Sequence, residues 1–123
     1  MNLPSLVSIV DDDESVRESL PDLLREFGFA SQTFCSAEDF LAADGISQSK
    51  CLILDIAMPG MSGPELQQEL NRRKSKIPII FITAQRDAAA QSRLMEQGAA
   101  ACLIKPFSDT ALLEALHSAF RAT

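Results

Sequence analysis

Polar residues that could bind a metal ion or a phosphoryl group directly follow four apolar stretches of this chain. These residues are Asp11 with Asp12, Asp55, Thr83 and Lys105. If the stretches are parallel strands of one open sheet, their carboxyl ends meet at one edge, which is where ligands bind in such sheets. Three carboxylates, one hydroxyl and one ammonium would then converge. This combination predicts a Mg²⁺-dependent pocket that accepts a phosphoryl group.

Asp55 is the predicted phosphoryl acceptor, because a carboxylate can attack phosphorus and form an acyl phosphate. Its charge would repel the incoming phosphoryl oxygens, and a divalent cation would remove that repulsion. Mg²⁺ prefers oxygen ligands and typically uses one or two carboxylates together with water, and Mn²⁺ suits the same ligand types. We predict Asp12 and Asp55 as direct ligands, Asp11 as a ligand through water, and the backbone carbonyl of Ala57 as a further oxygen.

Thr83 and Lys105 are predicted to bind the phosphoryl oxygens. The Thr83 hydroxyl can donate a hydrogen bond, and the Lys105 ammonium is a mobile point charge that suits a small anion. Phosphoryl transfer needs mostly positioning and neutralisation of charge. A carboxylate nucleophile therefore requires no separate general base.

Composition predicts a single soluble domain over residues 1–123. The chain has 46% hydrophobic and 23% charged residues, which is ordinary for a globular protein. Its net charge of −6 argues against a nucleic-acid surface, so DNA binding would need a domain outside this chain. Neither a signal peptide nor an apolar run of about 18 residues is visible, so we expect a cytoplasmic protein without a membrane partner.

Cysteine and histidine offer little chemistry in this sequence. Cys35, Cys51 and Cys102 are odd in number and form no CxxC pair, which favours buried thiols over a disulfide or a zinc site. The single histidine, His117, excludes a histidine-rich metal site and is expected on the partly exposed face of the last helix.

Short strands alternate with helical stretches, which predicts repeated βα units and a parallel sheet. We predict strands at 5–10, 29–34, 51–55, 78–83 and 101–105, and helices at 14–27, 37–44, 63–74, 87–97 and 109–121. The first, third and fourth strands are nearly continuous apolar runs, which are typical of central strands covered on both faces. The second strand alternates polar and apolar residues and is therefore predicted at an edge.

Helix-start signals support these boundaries. The stretches that begin at Ser36 and Ser62 resemble capping boxes, and Ser108 can cap the last helix. Asp13 and Glu14 could be read as further metal ligands, but we interpret them as acids that favour the amino end of the first helix.

Taken together, the motifs resemble the receiver domain of bacterial two-component response regulators. The pattern is VDDD at 10–13, LDIAMPGMSG at 54–63, ITA at 82–84 and KPF at 105–107. The resemblance covers about residues 5–121, and its motifs occur together in order and at matching spacing. The stretch SAEDF at 36–40 is similar to that in receivers of nitrogen-fixation-type transcriptional regulators.

The resemblance implies a flavodoxin-like fold, which is a doubly wound five-stranded parallel sheet in the order 2-1-3-4-5 with helices on both faces. It also implies that a sensor histidine kinase donates the phosphoryl group to Asp55. Thr83 and Ala84 would then move, and the face formed by 87–97, 101–105 and 109–121 would change partners, for example by forming a homodimer. A cis peptide before Pro106 is expected. Transcription would be controlled through a DNA-binding domain outside this chain.

One position departs from the family pattern. Receivers commonly have Tyr or Phe three residues before the lysine as part of the switch, and here that residue is Cys102. Coupling could instead pass through the loop of Thr83 and Ala84.

Several alternatives therefore stay open. They are an interaction module that works without phosphate, a stand-alone phosphorelay receiver, a phosphohydrolase and a flavodoxin-type electron carrier. Ala57 disfavours the phosphohydrolase, because such enzymes usually carry a second acid two residues after the nucleophile. The acids at 11–13 disfavour the electron carrier, because they would repel a bound phosphate. We expect a signalling domain that phosphorylates and dephosphorylates itself at Asp55, rather than a metabolic enzyme.

Overall fold

A single parallel sheet forms the centre of the protein, which a computed structural model describes over residues 5–121. Its strands are β1 (Leu6–Val10), β2 (Ala30–Phe34), β3 (Cys51–Asp55), β4 (Ile79–Thr83) and β5 (Ala101–Ile104). They pair in parallel in the order β2-β1-β3-β4-β5. The predicted fold and strand order are therefore confirmed. β1, β3 and β4 are central and almost wholly buried, while β2 and β5 are the half-buried edges.

Helices cover both faces of the sheet. They are α1 (Glu14–Glu26), α2 (Ala37–Ala42), α3 (Gly45–Gln48), α4 (Gly63–Arg72), α5 (Ala88–Glu96) and α6 (Asp109–Arg121). Alternate residues of each central strand point to opposite faces. Ile9, Ile53 and Ile82 pack with α1 and α6 in one core, while Leu54 and Phe81 pack with α2, α4 and α5 in the other.

The predicted helix at 37–44 ends two residues early, and the short helix that follows it was not predicted. α2 ends at Ala42, Asp44 has the left-handed φ of 58°, and the separate short helix α3 begins at Gly45. A Cβ atom on Gly45 would lie 2.4 Å from the ring of Phe40. The chain therefore turns tightly over a buried aromatic ring, a tertiary contact that helical periodicity does not reveal.

The helix-start signals are largely confirmed. Ser62 and Glu65 form a capping box at α4, with bonds of 3.0 and 3.3 Å. Ser36 accepts from the Asp39 amide at α2, but Asp39 accepts from the Cys35 thiol instead of completing a box. Asp13 caps α1 by accepting from the Ser15 amide, which agrees with its interpretation as an acid at the start of the first helix.

The expectation of buried thiols is wrong for two of the three cysteines. Cys51 is fully buried in β3, whereas Cys35 is exposed and Cys102 is half-buried on the edge strand β5. All three are free thiols. Within residues 5–121, no helix is long and apolar enough to cross a bilayer.

Candidate functional site

The parallel register brings the predicted site residues to one edge of the sheet. β1 pairs with β3 through Val10 and Leu54, and β4 pairs with β5 through Thr83 and Ile104. Asp11, Asp55, Thr83 and Lys105 therefore stand at or just beyond the carboxyl ends of the neighbouring strands β1, β3, β4 and β5. The strand order reverses at β1, so this edge is the position where open parallel sheets bind ligands.

Three carboxylates and one ammonium meet at this edge. Ligand oxygens of Asp11, Asp12 and Asp55 all lie within 4.8 Å of one another. Lys105 Nζ lies 2.9 Å from Asp11 Oδ2 and 3.8 Å from Asp55 Oδ1. Asp11 and Asp55 are buried, while Asp12 is exposed. The cluster is therefore partly closed by protein and open to solvent on the side of Asp12.

Burial and neighbouring charge act strongly on the central carboxylate. Burial raises the pKa of Asp55 from 3.8 to about 7, and the negative charge of Asp11 adds to the rise, while Lys105 opposes it. Burial would lower the pKa of Lys105, but its hydrogen bond to Asp11 and the charge of Asp55 hold that pKa above the ordinary value. Because three carboxylates face one ammonium, their negative charge is only partly neutralised.

The donor set fits a hard divalent cation. Asp11 already has a partner for each oxygen, because Oδ1 accepts from the Asp13 amide at 2.9 Å and Oδ2 accepts from Lys105. Asp12 is exposed, and Asp55 Oδ1 lies 3.8 Å from Lys105 Nζ, which is longer than a hydrogen bond. This division agrees with direct ligation by Asp12 and Asp55 and an outer role for Asp11, and carboxylate oxygens with water are the ligands that Mg²⁺ prefers.

Thr83 ends β4 and is buried at 5% exposure. Its Oγ1 accepts a hydrogen bond of 3.1 Å from the Gln85 amide. This bond uses an oxygen lone pair, so the hydroxyl proton can still be donated to an anion. Ala84 follows in an exposed loop that leads to α5.

The loop after Asp55 is packed closely against its strand. Gly63 donates to the Ile56 carbonyl at 2.9 Å, which brings the start of α4 back to the end of β3. A Cβ atom on Gly63 would lie 2.3 Å from the Asp55 carbonyl oxygen, so only glycine permits this approach. Ala57 lies exposed in this loop.

The peptide bond between Lys105 and Pro106 is cis, as the resemblance implies.

Cys102 lies on β5 opposite Phe81 and packs at the edge of the core that contains α4 and α5. Burial raises the pKa of its thiol. Cys102 also lines a surface groove with residues of α5, including the exposed Met95. It is therefore apart from the carboxylate cluster and belongs to the outer face of β5 and α5.

Sequence reasoning missed two side chains that hold the loops of the site. Arg17 on α1 donates from Nη1 to the Asp11 carbonyl at 2.8 Å. Glu38 on α2 accepts from the Met61 amide at 3.1 Å, in the loop that follows Asp55. Neither residue carries a sequence signal for this role, because both act on backbone groups that only the fold brings near.

Comparison with known families agrees with this geometry. Residues 7–117 match the model of the response regulator receiver domain. The chain belongs to this family. Receivers are the input domains of two-component response regulators, so the resemblance drawn from the motifs is confirmed.

Individual relatives give the same result. The chain is 43% identical to the transcriptional regulatory protein TdiR of Thauera aromatica over 115 residues, covering 94% of this chain and 51% of TdiR. It is 40% identical to the transcriptional regulatory protein FixJ of Azorhizobium caulinodans, covering 91% of this chain and 53% of FixJ. The crystal structure of FixJ-N superposes with a TM-score of 0.87 at 40% identity, covering 100% of this chain and 98% of that one. The chain spans about half the length of these curated relatives.

Proposed function

We propose that this receiver accepts a phosphoryl group on Asp55 from a phosphohistidine of a sensor histidine kinase, in a reaction that depends on Mg²⁺. The observation that carries the proposal is the position of Asp55. Asp55 is 6% exposed at the end of a central strand, with two further acids around it and Lys105 Nζ at 3.8 Å. A buried acid with uncompensated neighbours would be costly unless a cation completes the site.

In the proposed step, an Asp55 carboxylate oxygen forms a bond to phosphorus while the bond from phosphorus to the histidine nitrogen breaks. The electron pair of that bond stays on the imidazole nitrogen. Lys105 and the Thr83 hydroxyl bind the phosphoryl oxygens as the charge moves. Mg²⁺, held by Asp12 and Asp55, by Asp11 through water and by the Ala57 carbonyl, would neutralise charge between the carboxylate and the phosphoryl oxygens.

Phosphorylation would then bias an existing equilibrium between two conformations. When Thr83 donates to the phosphoryl group, its side chain turns and carries Ala84 and the following loop with it. Residues 84–89 are exposed, and Leu94 is the one buried residue of α5, so this segment resists movement weakly. The face of α5, β5 and α6 would change partners in response, with homodimerisation as the simplest result.

A groove beside the site offers a docking surface for the kinase. It has a volume of about 740 Å³ and lies between α1 and the start of α6, with Lys105 and Pro106 in its wall. Val16, Leu23 and Phe107 supply apolar contacts. A helical partner that docks here would bring its phosphohistidine next to Asp55.

The output is proposed to be transcriptional. TdiR and FixJ are named as transcriptional regulatory proteins, and this chain matches about half of each. A DNA-binding domain would then lie outside the matched half. The acidic net charge of this chain agrees with that division of roles.

Intact mass after incubation with acetyl phosphate tests the proposal. We expect one added phosphoryl group in the presence of Mg²⁺, and none with EDTA or in Asp55→Asn. Circular dichroism should show that this variant is folded. A folded parent that gains no mass would favour an interaction module that works without phosphate, and full labelling of the variant would refute the acceptor.

Lys105→Ala should separate phosphorylation from its effect. We expect the variant to take up the phosphoryl group but to dimerise at least about fivefold more weakly than the phosphorylated parent, because one charge-assisted contact to the phosphoryl group is lost. Lys76→Ala is the matched control, since Lys76 is an exposed lysine at the opposite end of the sheet. Equal phosphorylation-dependent dimerisation of the Lys105 variant and the parent, measured by light scattering, would refute this role.

A further inference from the structure

Glu38 reaches from α2 to the loop that joins β3 and α4. Its Oε2 accepts a hydrogen bond of 3.1 Å from the Met61 amide, 23 residues along the chain. A Cβ atom on Gly60 would lie only 2.6 Å from the same oxygen. Gly60 has the left-handed φ of 74°, which favours glycine. The carboxylate therefore lies directly against the backbone of the loop.

The two ends of this loop have anchors of their own. At the start, the Ile56 amide donates to the Ile82 carbonyl at 3.1 Å. At the end, Gly63 donates to Ile56, and Ser62 is held in the capping box of α4. Met58 packs in the core that contains α2 and α4, and Met61 packs against it. Within the part of the chain that the structure describes, the hydrogen bond that Glu38 accepts is the one that joins the middle of the loop, residues 57–61, to another element.

The partner of Glu38 distinguishes it from an ordinary acid at a helix start. Acids in a first turn favour the helix dipole, and Glu38 and Asp39 both lie in the first turn of α2. Asp39 accepts from the Cys35 thiol, which is part of the same helix start. Glu38 instead accepts from a distant backbone amide, and a carboxylate acceptor makes such a bond stronger than a neutral one does.

We propose that Glu38 is a positioning residue for the metal site. It holds the middle of the loop against α2 and thereby restricts the position of the Ala57 carbonyl, the further oxygen proposed for the metal. Groups that orient the ligands of a metal commonly change its affinity without touching it. This inference rests on the proposed Mg²⁺ site, but the hydrogen bond between Glu38 and Met61 exists without a metal and can be measured without one.

Two measurements on three variants test the proposal. Amide hydrogen exchange by NMR, on the metal-free protein, follows the Met61 amide, and calorimetric titration with MgCl₂ gives the affinity for the metal. Glu38→Ala removes the acceptor. Glu38→Gln keeps an acceptor oxygen but removes the charge, and Asp39→Asn removes a charge from the same turn while leaving Glu38 in place.

In Glu38→Ala we expect about fivefold faster exchange at Met61 and about fivefold weaker Mg²⁺ binding, the size of one ordinary hydrogen bond. Asp39→Asn should stay within about twofold of the parent, and Glu38→Gln should lie between the parent and Glu38→Ala, because a neutral acceptor makes a weaker bond than a carboxylate. Faster exchange with unchanged Mg²⁺ affinity would overturn the positioning role.

Two further outcomes would also overturn it. Equal weakening of Mg²⁺ binding in all three variants would mean that Glu38 acts only through its charge. A parent protein that binds no Mg²⁺ would overturn the metal site of the proposed function along with this inference, whereas the other outcomes leave the proposed function intact.

Discussion

The two helices that follow the site's central strands are attached very differently. α4, after β3, begins with a capping box and buries Gly63, Leu66, Gln67 and Leu70. α5, after β4, begins with a single cap from Asp87 and buries only Leu94. Both helices pack on the same face of the sheet. The difference therefore reflects how much apolar side chain each helix brings to the core.

α4 also holds one end of α5. The side-chain amide of Gln67 donates to the Leu94 carbonyl and that of Asn71 donates to the Gln97 carbonyl, both at 3.1 Å. These bonds lie at the carboxyl end of α5, far from Thr83. The amino end, next to Thr83, is left with exposed residues. A well-packed unit thus carries Asp55, the proposed acceptor, and a segment with few buried residues follows Thr83, which is proposed to respond to it.

Truncation of one buried leucine on each helix should give the largest change in the free energy of unfolding. Leu66→Ala is expected to lower the free energy of unfolding by about 3 kcal/mol, because it opens a cavity in the core between α4 and the sheet. Leu94→Ala should lower it by about 2 kcal/mol and should also release α5 locally. Urea unfolding and amide exchange check both.

The separate attachment of α5 predicts which amides lose protection when Leu94 is truncated. In Leu94→Ala, the amides of α5 should exchange much faster while those of α4 keep their protection. Similar loss of protection in both helices would contradict the view that α5 is attached separately.

A methyl group at Gly63 tests the close packing behind Asp55. Gly63→Ala should lower the free energy of unfolding by about 2 kcal/mol, because its Cβ would meet the Asp55 carbonyl at 2.3 Å. Gly98→Ala is the control, since Gly98 has a positive φ but no neighbour near its Cβ position. Its cost should be only about 1 kcal/mol, from backbone strain alone. Equal costs in urea unfolding would show that α4 can move away from β3.

The raised pKa of Asp55 predicts a pH dependence in metal-free protein. Its pKa is 3.8 in the unfolded chain and about 7 in the fold, so the native state holds a proton that the unfolded state releases. Stability from this residue is present below about pH 4 and is lost as the pH rises to about 7. Asp55→Asn removes the loss and should be more stable than the parent above pH 7 by about 1–2 kcal/mol.

Unfolding in urea with EDTA at pH 5 and pH 8 checks this sign. The advantage of the asparagine variant should be larger at pH 8 than at pH 5. An advantage that is equal at the two pH values would mean that the carboxylate is not held in its protonated form by the fold.

Most of the fold could be predicted because local and tertiary signals agree. The apolar runs of β1, β3 and β4 are central strands, and the predicted residues Asp11, Asp12, Asp55, Thr83 and Lys105 stand at the edge that the parallel order implies. The break between α2 and α3 could not be predicted, because it depends on Gly45 closing over the Phe40 ring. Cys102 is partly exposed because β5 is an edge strand, whereas cysteine as a residue type is usually buried.

The parts of the site that sequence reasoning missed share one property. Arg17 and Glu38 both bind backbone groups of the loops. Motifs identify side chains that do chemistry, because the chemistry restricts their type. Side chains that hold a loop are restricted only by distance, which a single sequence does not contain.

The central claim is that Asp55, among three clustered carboxylates, carries the phosphoryl group. Borohydride reduces an aspartyl phosphate to homoserine, so peptide mapping after phosphorylation and reduction identifies the residue directly. We predict homoserine at position 55 and unchanged aspartate at positions 11 and 12. Homoserine at position 11 or 12, with aspartate retained at 55, would contradict the account.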